Sequence, residues 1–219
     1  MTGIFHPAQS AGIALKTGVS RSHAALARRH TPAYATIMTT GRSKRLTRDD
    51  WLAAGAKLLA KQGAGALKAE PMARHMKTTK GSFYWHFKDV PDFHGQLLGR
   101  WEKAALAELA AVIEGETGAV ARLRALAQTI AAPETGSTTE SAVRSWAIDA
   151  EAARDAVARV DEARLTALHD LLTDTGIGNP EMARIIYAAG IGMDLLGQTG
   201  KGDNRGSMGS LVDLVLALR

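Results

Sequence analysis

The chain has 219 residues, of which 46% are hydrophobic and 22% charged, with a formal net charge of +5 and no cysteine. That length suffices for one or two small domains with a real core. The lack of thiols excludes a disulfide scaffold, a Cys-ligated zinc or iron–sulfur site and a cysteine nucleophile, and no stretch approaches the roughly 18 uninterrupted apolar residues that a membrane span needs.

The charge is unevenly spread. Residues 1–41 carry Lys16, Arg21, Arg28 and Arg29 and no acid. Residues 42–88 carry eleven Lys/Arg against Asp49, Asp50 and Glu70, a net +8, whereas residues 89–219 net −7. A short basic block joined to a longer acidic one suggests a polyanion-binding module attached to a part that avoids polyanions.

Residues 1–41 show no sustained helical stripe and no long apolar run of the secretory kind. They are expected to be a disordered extension, with Met38, which opens the basic arm MTTGRSKRLTRDDW, as a candidate start. An acid-free segment containing Arg, Ser and Ala also fits an organellar transit peptide. The alternative reading is an organelle-imported or cytosolic helical small-molecule-binding protein without DNA-binding activity.

From Thr47 onward the spacing is helical, and 40 alanines against 6 prolines favour that state. Thr47 is a good N-cap with Asp50 three residues on, and the helix it starts carries Leu52, Ala56, Leu59 and Ala60 before stopping at Gln62-Gly63. Pro71 suits the first turn of a short second helix, PMARHM. Lys77-Thr78 makes a tight link to a third short helix over about 79–86, capped by Thr78 or Thr79. A long helix runs from about Pro91 to Glu114 and breaks at Gly115 and Gly118. Further helices are predicted over about 119–132, 139–149 and 151–175, with PETGST at 133–138 as a loop. The 151–175 helix bears Val157, Val160, Arg164 or Leu165, Leu168 and Leu172 on its apolar stripe. Gly176–Pro180 is a turn, 180–197 a helix, 197–206 a polar loop rich in glycine, and 207–218 a last helix.

Three helices within 47–87, the second and third short and closely joined, form a helix-turn-helix pattern. The third reads TKGSFYWHF, and 83–87 holds four of the chain's eleven aromatics. Phe83 and Phe87 share a face and are expected to point into the three-helix core. Lys80, Ser82, Tyr84, Trp85 and His86 spread over the other sides. Lys80 can reach a guanine edge or a phosphate, Ser82 and Tyr84 can donate to phosphate oxygens, and Trp85 offers apolar contact to thymine methyls. His86 and Lys88, at the far end, suit backbone contacts, and the small Gly81 lets the helix approach the groove floor.

Residues 46–89, LTRDDWLAAGAKLLAKQGAGALKAEPMARHMKTTKGSFYWHFKD, resemble the N-terminal DNA-binding domain of the TetR (tetracycline-repressor-type) transcriptional regulators, most specifically through KGSFYWHFKD. Residues 141–190 are similar to the C-terminal domains of many such regulators. The resemblance implies an all-α homodimer: a helix-turn-helix DNA-binding domain over 42–90, and a helical effector-binding and dimerisation domain over 91–219. It implies base or near-base contacts for Thr79, Lys80 and Ser82, with Gly81 between them, and phosphate contacts for Tyr84, His86 and Lys88. Trp85 suits either role. The arm Arg42, Lys44, Arg45 and Arg48 is expected along the backbone or in the minor groove. Three positions depart from the family pattern. Lys77 stands where the turn usually has glycine, Lys68-Ala69-Glu70 stands where the second helix usually has a Thr or Ser cap, and Val90 stands where a basic residue is common.

No GxSxG, P-loop, dinucleotide fingerprint or HExxH is present. The expectation is a cytoplasmic, non-enzymatic repressor without cofactor or metal, released from a double-stranded DNA operator by a small molecule. Candidate effector contacts are Trp101, Trp146, Asp149 and His169. Asp194, a carboxylate in the apolar run IIYAAGIGMDLLG, is either a buried polar group or a helix-interface residue. The helices near 180–197 and 207–218, with small Ala188, Ala189, Gly190 and Gly192, are the candidate dimerisation surface.

Overall fold

A computed structural model describes residues 45–132, 137–200 and 202–219. The predicted extension over 1–41, together with Arg42 and Lys44, lies outside the described residues. Among those described, every regular element is helical.

Helix α1 (Arg48–Gln62) starts at a complete capping box. The Thr47 amide donates to Asp50 Oδ2 at 2.8 Å, and the Asp50 amide donates back to Thr47 Oγ1 at 3.2 Å. It ends at Gly63, whose φ of +75° suits glycine. A 3-10 turn over Ala64–Ala66 follows, which the sequence does not advertise because AGA has no periodicity. Helix α2 (Ala69–His75) begins at Lys68 with no side-chain cap, as expected from the missing Thr or Ser. Lys77 in the turn after it adopts φ +53°, the left-handed region that a non-glycine residue enters at a cost.

Helix α3 (Lys80–Tyr84) is capped by Thr79, whose Oγ1 accepts from the Ser82 amide at 3.3 Å. It is shorter than the predicted 79–86: the His86 and Phe87 amides both donate to the Phe83 carbonyl, which closes it with a tight turn. Helix α4 (Val90–Gly115) is capped by Asp89 and carries Pro91 in its first turn. Helices α5 (Ala119–Ala131), α6 (Ser137–Ala147), α7 (Glu151–Asp174) and α8 (Pro180–Gly197) fall close to their predicted positions. Helix α9 (Asn204–Leu216) starts earlier than the predicted 207, because the Asp203 carboxylate accepts from the Gly206 amide and caps it.

Two hydrophobic clusters hold these helices. The first gathers α1, α2 and α3 with Phe93, Leu97 and Leu98 of α4, Val143 and Ala147 of α6, and Ala153 and Ala156 of α7. The second gathers Leu109 of α4, the inner face of α5 from Leu123 to Ala131, the end of α7 from Leu168, and the inner faces of α8 and α9. Helix α1 buries more than its predicted stripe: Trp51, Ala54, Gly55 and Leu58 join Leu52 and Leu59, while Ala56 and Ala60 are half-buried. A Cβ on Gly55 would stand 2.7 Å from the buried Phe93 ring, so glycine sets the approach of α1 to α4. Gly190 has the same role between α8 and α5, where a Cβ would stand 2.7 Å from Ile130 Cγ2. It therefore serves packing within the chain, whereas Ala188 and Gly192 are exposed.

Along α7, between the residues of the first core and those of the second, lies a buried polar network. Glu140 Oε1 accepts from Arg144 Nη2 at 2.8 Å and from Arg164 Nη1 at 2.9 Å. Arg144 also donates to both oxygens of Asp161, and the Tyr187 hydroxyl donates to Asp161 Oδ1 at 2.6 Å. Two guanidiniums balance two carboxylates, so no net charge is buried. Burial pulls the Arg144 pKa down, but its bond to Asp161 and the surrounding negative groups more than offset this and raise it. Burial also pushes the Tyr187 hydroxyl up to about 12. Asp194 proves to be buried and accepts from Ser141 Oγ at 3.3 Å.

Candidate nucleic-acid interface

The third helix is an exposed rod braced from behind. Phe83 and Phe87 are fully buried, with ring centroids 5.1 Å apart. Trp51 meets Phe83 edge-on at 5.6 Å, and Phe93 meets Phe83 at 5.3 Å and Phe87 at 4.9 Å. Edge-to-face rings of this kind lock orientation as well as bury area. A helix of five residues has little stability of its own, so this cluster holds it in place.

The outward side carries the predicted set. Thr79, Lys80, Gly81, Tyr84, Trp85 and Lys88 are exposed, and Ser82 and His86 are half-buried. Trp85 is 86% exposed, an unusual state for the largest apolar side chain. Tyr84 is 46% exposed, and Lys80 Nζ lies 6.0 Å from its ring centroid. A Cβ on Gly81 would meet only Thr79 Oγ1, at 3.7 Å, so the protein's own packing does not require glycine there. His86 is tied to the core side, with its ring 6.3 Å from that of Trp51.

Arg45 and Arg48 are exposed at the start of α1, and the Arg48 guanidinium lies 5.9 Å from the Phe87 ring centroid. Among the described residues, no carboxylate forms an ion pair with Arg45, Arg48, Lys80 or Lys88. A groove beside α3 is lined by Lys80 and Tyr84 together with Lys68, Arg74 and Val90. Lys68 and Arg74 were missed as interface candidates. Their membership of the +8 block was a signal, but the face they occupy depends on how α2 packs. Arg74 is partly neutralised by Glu70 at 3.2 Å.

The four effector candidates do not form one constellation. Trp146 and Asp149 line a common cleft with Ser145 and Gln198. Trp101 packs on the first core from α4. His169 lies on the part of α7 that serves the second core and is half-buried, with Nδ1 buried and without a hydrogen-bond partner.

Residues 52–89 match the model of the bacterial regulatory proteins of the tetR family. No curated protein matches the chain. Among solved structures, a Rhodococcus sp. protein classed with the TetR-family transcriptional regulators is 24% identical with a TM-score of 0.65, over 80% of this chain and all of that one. A TetR-family transcriptional regulator from Streptomyces coelicolor is 19% identical with a TM-score of 0.68, over 78% of this chain and 88% of that one. The transcriptional regulator FadR from Bacillus subtilis, solved with stearoyl-CoA, is 14% identical with a TM-score of 0.61, over 78% and 98%. These are likenesses of fold.

Proposed function

The chain carries a TetR-type N-terminal domain on the fold of TetR-family regulators, and from that premise we propose that it is a ligand-responsive transcriptional repressor holding its operator as a homodimer in the cytoplasm. The observation that carries this reading is the exposed α3, with Lys80, Tyr84 and Trp85 outward and two buried phenylalanines behind it. Lys80 makes no ion pair among the described residues and Trp85 stands uncovered, a pairing of features that suits a duplex groove. Arg45 and Arg48 at the head of α1 extend the positive surface, and Arg42 and Lys44 continue it in sequence.

The dimer reading rests on two uncovered apolar stripes. Ile185, Leu195 and Leu196 of α8 are exposed, as are Leu214 of α9 and Leu218 just beyond its end. A two-fold pairing of α8 and α9 with their copies would cover these residues. Two α3 helices would then meet successive major grooves at a separation set by that pairing. A small molecule that binds better at another separation releases the DNA. A related fold is solved with stearoyl-CoA, which supports an effector as part of the mechanism.

A gel shift with the DNA upstream of the chain's own gene tests the proposal. Binding should weaken steeply with salt, and Lys80→Ala should cut affinity and lower the log–log salt slope by about one. A salt-independent shift, or a Lys80→Ala protein that binds like the parent, would sink it.

A further inference from the structure

A cleft of about 760 Å³ separates the end of α1 and the 3-10 turn from α6 and the end of α8. That volume lies within the range of about 300–1,000 Å³ typical of small-ligand pockets. One wall, Leu59 to Gly65, belongs to the helix-turn-helix core. The other, with Ser145, Trp146 and Asp149, belongs to α6 and the turn after it. A Cβ built on Gly65 would meet nothing within 4 Å, so at that residue the wall is bare backbone facing open space.

The chemistry of the lining is asymmetric. Asp149 is the only charged side chain among the described residues that line the cleft, and it makes no ion pair or hydrogen bond with any of them. Arg154, the cation nearest in sequence on α7, is turned to the Ile148 carbonyl at 3.1 Å and does not line the cleft. Trp146 is held in place before any ligand arrives. Its indole meets the His94 ring edge-on at 4.8 Å and 83°, and a nitrogen of that ring lies 2.9 Å from the Leu67 carbonyl. One turn earlier on α6, Ser141 accepts from Gln198 at the end of α8 and donates to Asp194, so the junction of α6 and α8 presents a fixed polar edge. A rigid indole, an uncompensated carboxylate and the apolar surface of the half-buried Ala60 and Ala142 select positive charge on a greasy body.

We propose that this cleft binds an organic cation with an apolar body, and that the bound cation forces the end of α1 away from α6. The proposal deepens the ligand-responsive reading and rests on it for its regulatory half. Leverage follows from position: α1 carries Trp51, Leu52 and Leu58 of the core that braces α3, so a shift of α1 against α6 re-aims α3. An anion is disfavoured there by Asp149, and a neutral apolar molecule leaves that carboxylate without a partner.

The test uses the full chain and benzyltrimethylammonium chloride as the probe, with sodium benzenesulfonate as the anionic control. Calorimetric titration should show saturable binding of the cation and none of the sulfonate. Asp149→Asn, an isosteric change at an exposed position, should weaken the cation by about tenfold, and Asp149→Lys should abolish its binding. The cation should also release DNA in the gel shift, and less so from Asp149→Asn. No saturable binding, or equal binding by parent and both variants, overturns the site while leaving the DNA-binding reading intact. Binding that depends on Asp149 but does not alter the gel shift overturns the forcing of α1 from α6. Binding that depends on Asp149, with no DNA fragment shifted at all, supports the site and counts against the repressor.

Discussion

Two groups of cations in this molecule are arranged in opposite ways. Arg144 and Arg164 lie inside the helical bundle, and each reaches a carboxylate at 2.9 Å or less. Lys80 and Lys88 stand on or beside α3, exposed and without an ion pair among the described residues. The first pair is neutralised by the protein, so its charge serves to fix how α6, α7 and α8 meet. The second is left open, so its charge remains available to a polyanion. The difference teaches that the count of basic residues matters less than which of them the fold has already paired.

The largest effect should come from breaking the interior pairing. Glu140→Gln leaves Arg164, which is 6% exposed, with a weakened partner, and should cost about 3–5 kcal/mol of unfolding free energy in urea denaturation. A loss below about 1 kcal/mol would place the network with ordinary surface pairs. On the open side, Gly81→Ala should do the reverse. The protein has room for the methyl, so stability should hold or rise by up to about 1 kcal/mol. DNA affinity should nevertheless fall on the order of tenfold in the gel shift, as when one base contact worth about 1–3 kcal/mol is disturbed.

Smaller still is the turn that presents α3. Lys77→Gly relieves a left-handed residue and should stabilise by up to about 1 kcal/mol in thermal unfolding, less the freedom glycine adds to the unfolded chain. The smallest effect concerns His94, which braces Trp146. Burial lowers its pKa below the usual 6.5, and the bond to the Leu67 carbonyl offsets this only in part. The unfolded chain therefore binds the proton first as pH falls. Stability should be intact above 6.5 and decline through and below that value, and His94→Gln should flatten this part of the urea-midpoint profile.

Much of this was legible in the sequence because it is local. The Thr47–Asp50 capping box, the Gly63 stop, the Phe83/Phe87 face and the departure at Lys77 each involve residues within a few positions of one another. The polar network was not legible, because Glu140, Arg164 and Tyr187 come from three helices and meet only once α6, α7 and α8 are packed. One signal existed: Arg164 falls on the apolar stripe of α7, where a charge must be paired or expelled. The candidates Trp146 and Asp149 were suggested by residue type alone, and their cleft with Gln198 depends on how α8 crosses α6.

The reach of α4 into the aromatic cluster has a practical consequence for anyone building chimaeras. A fusion that transplants only residues up to 90 would strand Phe83 and Phe87 without Phe93, and would strip Leu97 and Leu98 from the same cluster. A working graft must extend past Trp101 and bring surrogates for Val143, Ala147 and Ala153, which the same cluster recruits from α6 and α7. The reading head is thus not a detachable cassette, and specificity is better re-engineered side chain by side chain along its outer rim.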